Sequence, residues 1–347
     1  MSLIIVEIGG FNNKIEILKK VCNNGLMKKL VFVLFAFLSV SCFAYTKKEL
    51  KAFPYKNTSF YGGSFSSDLL EKICPFEGNA ADYLMDFDNI YTYKNHNLSN
   101  TEKSLFAIYF NGLPQALKDV VTNHVYAIYF VDGMEYGAMT DIIFGEDDRE
   151  YCIIYFNADI FYHTMDEWLT YRDNTLFKNT DDKNKVVVEG GQDYIALVQT
   201  LTHEAAHVYD FINNVTPYTY DSTQVTDPGN VFFSVWQDKF TPLKKYRNKK
   251  FEKASYYGFG GQVSISQGKN LIEYLAKSPF CTAYASKNWM DDFAEALTYY
   301  HLQKKYGIDY KITWYKNGQP KATYSYKDNP NAHVYDDLCK EILGDDL

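Results

Sequence analysis

The sequence predicts an α+β fold, and three observations carry that prediction. Two short runs rich in β-branched and aromatic residues, Val125-Tyr126-Ala127-Ile128-Tyr129-Phe130-Val131 and Tyr151-Cys152-Ile153-Ile154-Tyr155-Phe156, read as strands. A longer stretch, residues 193–211, holds Leu197, Val198, Leu201, Ala205 and Val208 at the spacing of an amphipathic helix of about five turns. A third, residues 288–301, repeats that spacing with Phe293, Ala296, Leu297 and Tyr300.

From the start of the chain, Met27-Lys28-Lys29, the apolar run 30–40 and then Ser41-Cys42-Phe43-Ala44 have the layout of an export signal. Met27 is the expected true start, so residues 1–44 comprise an upstream extension and the signal. The apolar run, about 11 residues, is too short to span a bilayer. Cleavage after Ala44 and lipid attachment at Cys42 are the two outcomes to weigh. Either makes the mature chain exported: secreted, periplasmic or surface-anchored.

Residues 45–100 are polar and rich in Asn, Ser and Tyr, and read as an N-terminal extension with helical patches at 67–74 and 80–87. Residues 101–310 form the main domain. Within it, residues 105–110 begin a helix or a strand, and residues 113–121 a helix with Pro114 in its first turn. The strand at 125–131 stops at Asp132-Gly133. The strand at 151–156 is the candidate edge strand. Residues 166–188 read as a loop-rich connection, and residues 212–280 as an insertion holding Pro217, Pro228-Gly229, Pro242 and a basic run at 244–253. The basic run is expected to be a solvated face, and Gly258-Phe259-Gly260-Gly261 a turn or flap. Residues 311–347 form a C-terminal tail in which Asn317-Gly318 marks a hairpin.

Charge narrows the partners. The chain has 35 basic and 43 acidic residues; without the five Lys and two Glu of residues 1–44 the totals are 30 and 41, a net of −11. Such a balance disfavours nucleic acid and anionic membrane surfaces. Cys74, Cys152, Cys281 and Cys339 follow the signal, none in a CxxC spacing, so a cysteine zinc site is disfavoured. Two disulfides, with three connectivities, or free buried thiols are the alternatives.

The chemistry-bearing motif is His203-Glu204-Ala205-Ala206-His207. On a helix, positions i and i+4 share a face, so both imidazoles can point at one metal ion. Glu204, about 100° around the helix, reaches a water at that ion rather than the ion itself. Metal-assisted hydrolysis needs that combination of a Lewis acid and a carboxylate base. Asp210, one turn on, either orients a ligand histidine or is solvated. A third ligand is needed. In the helix at 288–301, Glu295 sits beside the apolar stripe, where a core-facing carboxylate requires a partner such as a metal; Asp291, Asp292 and His301 are the next candidates.

HExxH followed by Phe293-Ala294-Glu295-Ala296 resembles the gluzincin metallopeptidases, and that second string is similar to the third-ligand helix of the anthrax lethal factor-like and Pro-Pro endopeptidase group. The resemblance implies a zincin-like domain, with a small mixed sheet above the HExxH helix and a mainly helical lower subdomain. It implies His203, His207 and Glu295 as Zn²⁺ ligands and Glu204 as general base. The HExxHxxGxxH class does not fit, because Asp210 and Asn213 occupy its Gly and His places. Where the group carries a tyrosine seven residues before the ligand Glu, this chain has Asn288; Tyr284 is the nearest upstream tyrosine and the expected oxyanion donor, with Tyr299 and Tyr300 next. In that family the edge strand pairs with an extended substrate. The expectation is an exported zinc metalloendopeptidase acting on a protein or peptide. The alternatives are a non-catalytic binding protein on the same fold, and a zinc hydrolase of a non-peptide amide.

Overall fold

A computed structural model describes residues 47–217 and 229–344. The export signal, Met27, Ala44 and Cys42 lie outside the described residues. Contacts group residues 51–218 and 226–347 into one compact unit; of the other, residues 1–50 with 219–225, only Lys47–Leu50 are described, in helix α1 (Lys47–Lys51).

The larger unit is α+β. Its main sheet has the order β1-β2-β4-β3, from β1 (Lys94–Asn95), β2 (Val125–Asp132), β3 (Ala138–Phe144) and β4 (Glu150–Asn157). β2 and β4 run parallel with Ile128 opposite Ile154, and β3 lies antiparallel to β4 with Ala138 opposite Phe156. Tyr151–Phe156 is therefore an interior strand, not the edge. Its unbroken apolar run is what a strand covered on both faces requires. The edges are β1 and β3, and the first residues of β3 are only half-buried.

Alternation along the strands sends side chains to opposite faces. Ala127, Tyr129, Val131, Tyr151, Ile153 and Tyr155 pack under Tyr61, Phe76, Ala80, Leu84 and Tyr93. Residues 51–100 thus supply one face of the core through helix α2 (Gly78–Asp88) and the segments around it, rather than forming a separate extension. On the other face Phe106 of α3 (Asn100–Asn111) meets Phe130 and Phe156 edge-on. α3 is a helix because Ser99 and Glu102 form a reciprocal capping box at its start. α4 (Gln115–His124) follows Pro114.

Residues 166–188 are more ordered than a loop. They include most of helix α5 (Met165–Asn174), begun by a second capping box from Thr164 and Glu167, then the two-residue strand β5 (Phe177–Lys178) and most of β6 (Lys185–Glu189). α6 (Leu197–Asn213) carries HEAAH and buries nearly its whole length. Short strands β7 (Trp236–Asp238), β8 (Thr241–Pro242) and β9 (Val263–Ser264) and helix α7 (Gly268–Leu275) follow. α8 (Trp289–Tyr306) packs on α6, begins at Asn288, whose Oδ1 accepts from the amides of Met290 and Asp291, and ends at Gly307 with φ 69°.

The C-terminal residues are built into the domain. β10 (Lys311–Lys316) and β11 (Gln319–Ser325) form the expected hairpin, turning at Asn317 and Gly318 with φ of 54° and 72°. β10 also pairs with β6, Ile312 opposite Val188, giving the order β11-β10-β6. The part of the chain after α6, expected to be mainly helical, holds α8 and also the β10–β11 hairpin and the short strands β7, β8 and β9. Helix α9 (Asp336–Leu343) closes the described chain. Cys74, Cys152, Cys281 and Cys339 are free thiols, all but Cys74 buried. No described helix is long and apolar enough to cross a membrane.

Candidate metal centre

α6 and α8 bring two imidazoles and a carboxylate to one point. His203 Nε2 and His207 Nε2 are 3.1 Å apart. Asp291 Oδ1 lies 3.4 Å from His207 Nε2 and 3.8 Å from His203 Nε2. These three donors lie within 4.8 Å of one another and are the group among the described residues arranged to hold a metal ion. The spacing has a simple meaning. Donors about 2.0–2.1 Å from a tetrahedral Zn²⁺ stand about 3.3 Å apart, close to the mean of the three separations. Two imidazoles and one carboxylate are also ligand types that divalent metal ions take.

Glu295, the expected third ligand, takes another place. One helical turn beyond Asp291, it is fully buried and approaches the opposite nitrogen of the first histidine: Oε1 is 3.0 Å from His203 Nδ1, though off the N–H direction. Its remaining capacity is filled by Arg172 Nη1 at 3.2 and 3.3 Å, Gln199 Nε2 at 3.0 Å and Thr282 Oγ1 at 2.5 Å. Burial alone would raise its pKa, but the Arg172 charge, then His203 and Thr282, outweigh it and hold the carboxyl down to about 2. A carboxylate beyond the ligand shell, fixing a ligand histidine's ring and tautomer, is the usual second layer of a metal site. The support continues outward: Arg172 Nε donates to Asp173 at 3.0 Å, and Tyr310 donates its hydroxyl to Asp173.

Glu204 is buried beside the triad. Its Oε2 accepts from the hydroxyl of Thr140 on β3 at 2.6 Å. The edge strand therefore fixes one oxygen of the expected base and leaves Oε1 without a bond to β3. Tyr284 lies against His203, ring centroids 5.9 Å apart, and under the Arg172 guanidinium at 4.9 Å. Burial pushes its phenol pKa well up, so it stays a hydrogen-bond donor at neutral pH. Tyr284, Tyr257, Tyr136, Gly137 and Ala138 share with His203 and Glu204 the wall of a cavity of about 40 Å³.

Other sequence expectations shift. Asp210 neither orients His207 nor meets solvent; it is fully buried and accepts from the amide and hydroxyl of Thr216 at 2.7 and 2.8 Å, fixing the chain after α6. His301, a further candidate for the third ligand, is not among the three clustered donors; it is buried, and burial with the nearby Lys305 charge pulls its pKa down to about 4. Tyr299 is buried against Tyr310 and Tyr326, and neither it nor Tyr300 lines the cavity. Asp292 faces away from the triad, toward Trp236 Nε1 at 2.8 Å and the Tyr335 hydroxyl at 2.9 Å.

The sequence offered no signal for Arg172 or Thr140, which lie in segments without an apolar repeat. Asp291 stands in the sequence as a third-ligand candidate after Glu295, together with Asp292 and His301. No protein-family model matches the chain, and neither the curated proteins nor the solved structures contain a match to it.

Proposed function

We propose that the chain is a zinc-dependent metallopeptidase of zincin-like architecture, exported in its mature form. The observation that carries this reading is the convergence of His203, His207 and Asp291 at tetrahedral edge distances, with the Glu204 carboxylate beside them. His203, His207 and Asp291 would hold a zinc ion, which would supply Lewis acidity toward a carbonyl and a water. Glu204 removes the proton of the attacking water at Oε1 while Thr140 steadies Oε2, and then passes that proton to the leaving amine. Tyr284 donates its hydroxyl to the oxygen that gains charge. Glu295 keeps the His203 ring turned so that Nε2 faces the triad.

The substrate is a protein or peptide. The outer side of β3 has no strand partner among the described residues beyond a single bridge from Phe144 to Asn57. An extended peptide added there obtains main-chain hydrogen bonds and passes Glu204. The test is to measure bound zinc and cleavage of a peptide library by wild type and by Glu204→Gln. Zinc in both with cleavage in wild type alone supports the reading. A wild type that holds no zinc at neutral pH, or an equally active Glu204→Gln, refutes it.

A further inference from the structure

We propose that the cavity beside Glu204 is a specificity pocket for a neutral carboxamide side chain, glutamine or asparagine, on the substrate residue next to the scissile bond. The inference rests on the peptidase reading above.

Besides His203 Nδ1, which stands against Glu295, two buried polar groups on the cavity wall have no hydrogen-bond partner. Arg172 is 4 % exposed; its Nε and Nη1 are taken by Asp173 and Glu295, but Nη2 bonds to nothing. Thr200 is also 4 % exposed, and its Oγ1 is likewise unpaired. Both residues line the cavity with Gln199, His203, Glu204 and Trp168. Native proteins pair nearly all such groups, so two orphans on one wall mark a place where a ligand supplies the partner.

The chemistry of that partner follows from charge and hydrogen bonding. The single positive charge of Arg172 already faces two carboxylates, Asp173 and Glu295, and Glu204 stands on the same wall. With the Zn²⁺ and Asp291 of the peptidase reading counted as well, these charges sum to −1, so a further carboxylate is disfavoured. An aliphatic side chain would fill the room and leave both donors unmet. A neutral oxygen acceptor satisfies Arg172 Nη2 at no electrostatic cost. The wall also offers acceptors. Gln199 must turn Nε2 toward the Glu295 carboxylate, 3.0 Å away, which leaves its Oε1 to accept, and the Thr200 hydroxyl can accept as well as donate. Donor and acceptors together match the two ends of a carboxamide.

The cavity is small, about 40 Å³. Gly137 keeps it open: a Cβ there would stand 3.2 Å from Trp168 Nε1 and 3.5 Å from Thr200 Oγ1.

The test separates this pocket from the reaction. Calorimetry measures binding of the dipeptides Gln-Ala, Glu-Ala and Met-Ala to the zinc-supplemented wild-type protein. Gln-Ala should bind about tenfold or more tightly than Met-Ala, which has its length without its hydrogen bonds, and than Glu-Ala. Thr200→Val should shrink that preference several-fold at unchanged zinc content. Equal affinities, a preference for Met or Glu, or no binding of any dipeptide overturns the proposal, whatever peptides are cleaved. Absence of zinc or of cleavage counts against the peptidase reading alone, because the dipeptide affinities still decide the pocket. For peptides that are cleaved, kcat/KM should rank Gln above Met and Glu at the same position.

Discussion

Two carboxylates one helical turn apart, Asp291 and Glu295, have different assigned roles, and exchanging each for its amide separates them. In Glu295→Gln the buried Arg172 loses its main counter-charge, and His203 Nδ1 loses the carboxylate beside it. The carboxyl's pKa of about 2 against an ordinary 4.5 corresponds to about 3 kcal/mol of folding stability. Breaking a buried ion pair costs about 3–5 kcal/mol by an independent route. Either figure is a large part of the roughly 5–15 kcal/mol that holds a domain together. Because the folded pKa lies below the unfolded one, this contribution is complete above about pH 4.5 and is lost as pH falls toward 2. Metal affinity should fall only about 10- to 100-fold, the usual cost of losing a carboxylate behind a ligand histidine. Asp291→Asn should do the reverse: urea unfolding of the metal-free protein close to wild type, but zinc affinity reduced well beyond 100-fold. Urea titration of the metal-free variants and competition with a chromophoric chelator read the two effects separately. Wild-type zinc affinity in Asp291→Asn, with Glu295→Gln stable but unable to hold zinc, would falsify the assignment and return Glu295 to the ligand shell.

Three other outcomes follow from the geometry. Thr140→Val should leave bound zinc unchanged and lower kcat by about tenfold or more, because one oxygen of the base loses its anchor; an unaltered kcat removes Thr140 from the mechanism. Asp292, pushed up to about 8 by burial against the opposing hydrogen bonds of Trp236 and Tyr335, binds its proton more tightly folded than unfolded. Its contribution to metal-free stability is therefore full below about pH 3.8 and declines as pH rises to about 8; Asp292→Asn should flatten that part of the urea-stability profile, and an unchanged slope argues against it. Of the four cysteines in the described residues, a thiol reagent should reach only Cys74 in the native protein and all four after unfolding; fast native labelling of two or more contradicts the buried positions.

The HEAAH helix, the strands at 125–131 and 151–156 and the Asn317-Gly318 hairpin were legible because local pattern and burial agree there. β3 was not: its first four residues are half-buried at an edge, so Met139, Thr140 and Asp141 show no apolar run. α5 escaped for a related reason. Part of its buried face is charged, Arg172 and Asp173, and periodicity counts only apolar residues. The choice between Asp291 and Glu295 lay beyond sequence altogether. Four residues apart, they occupy the same face of α8, and which of them meets the histidines depends on how far along α6 that helix is docked.

The pairing of β6 with β10 joins residues about 120 positions apart and encloses both metal-bearing helices in one closed loop. Contacts of that separation form late, since chain closure must precede any gain from them. The centre should therefore assemble near the end of folding and, during synthesis, only after the final hairpin has emerged. A chain ending before Lys311 would retain every metal ligand and still lack the strand that holds the loop shut. On the metallopeptidase reading, a chain stopped before Lys311 should therefore hold zinc more weakly than one that carries β10.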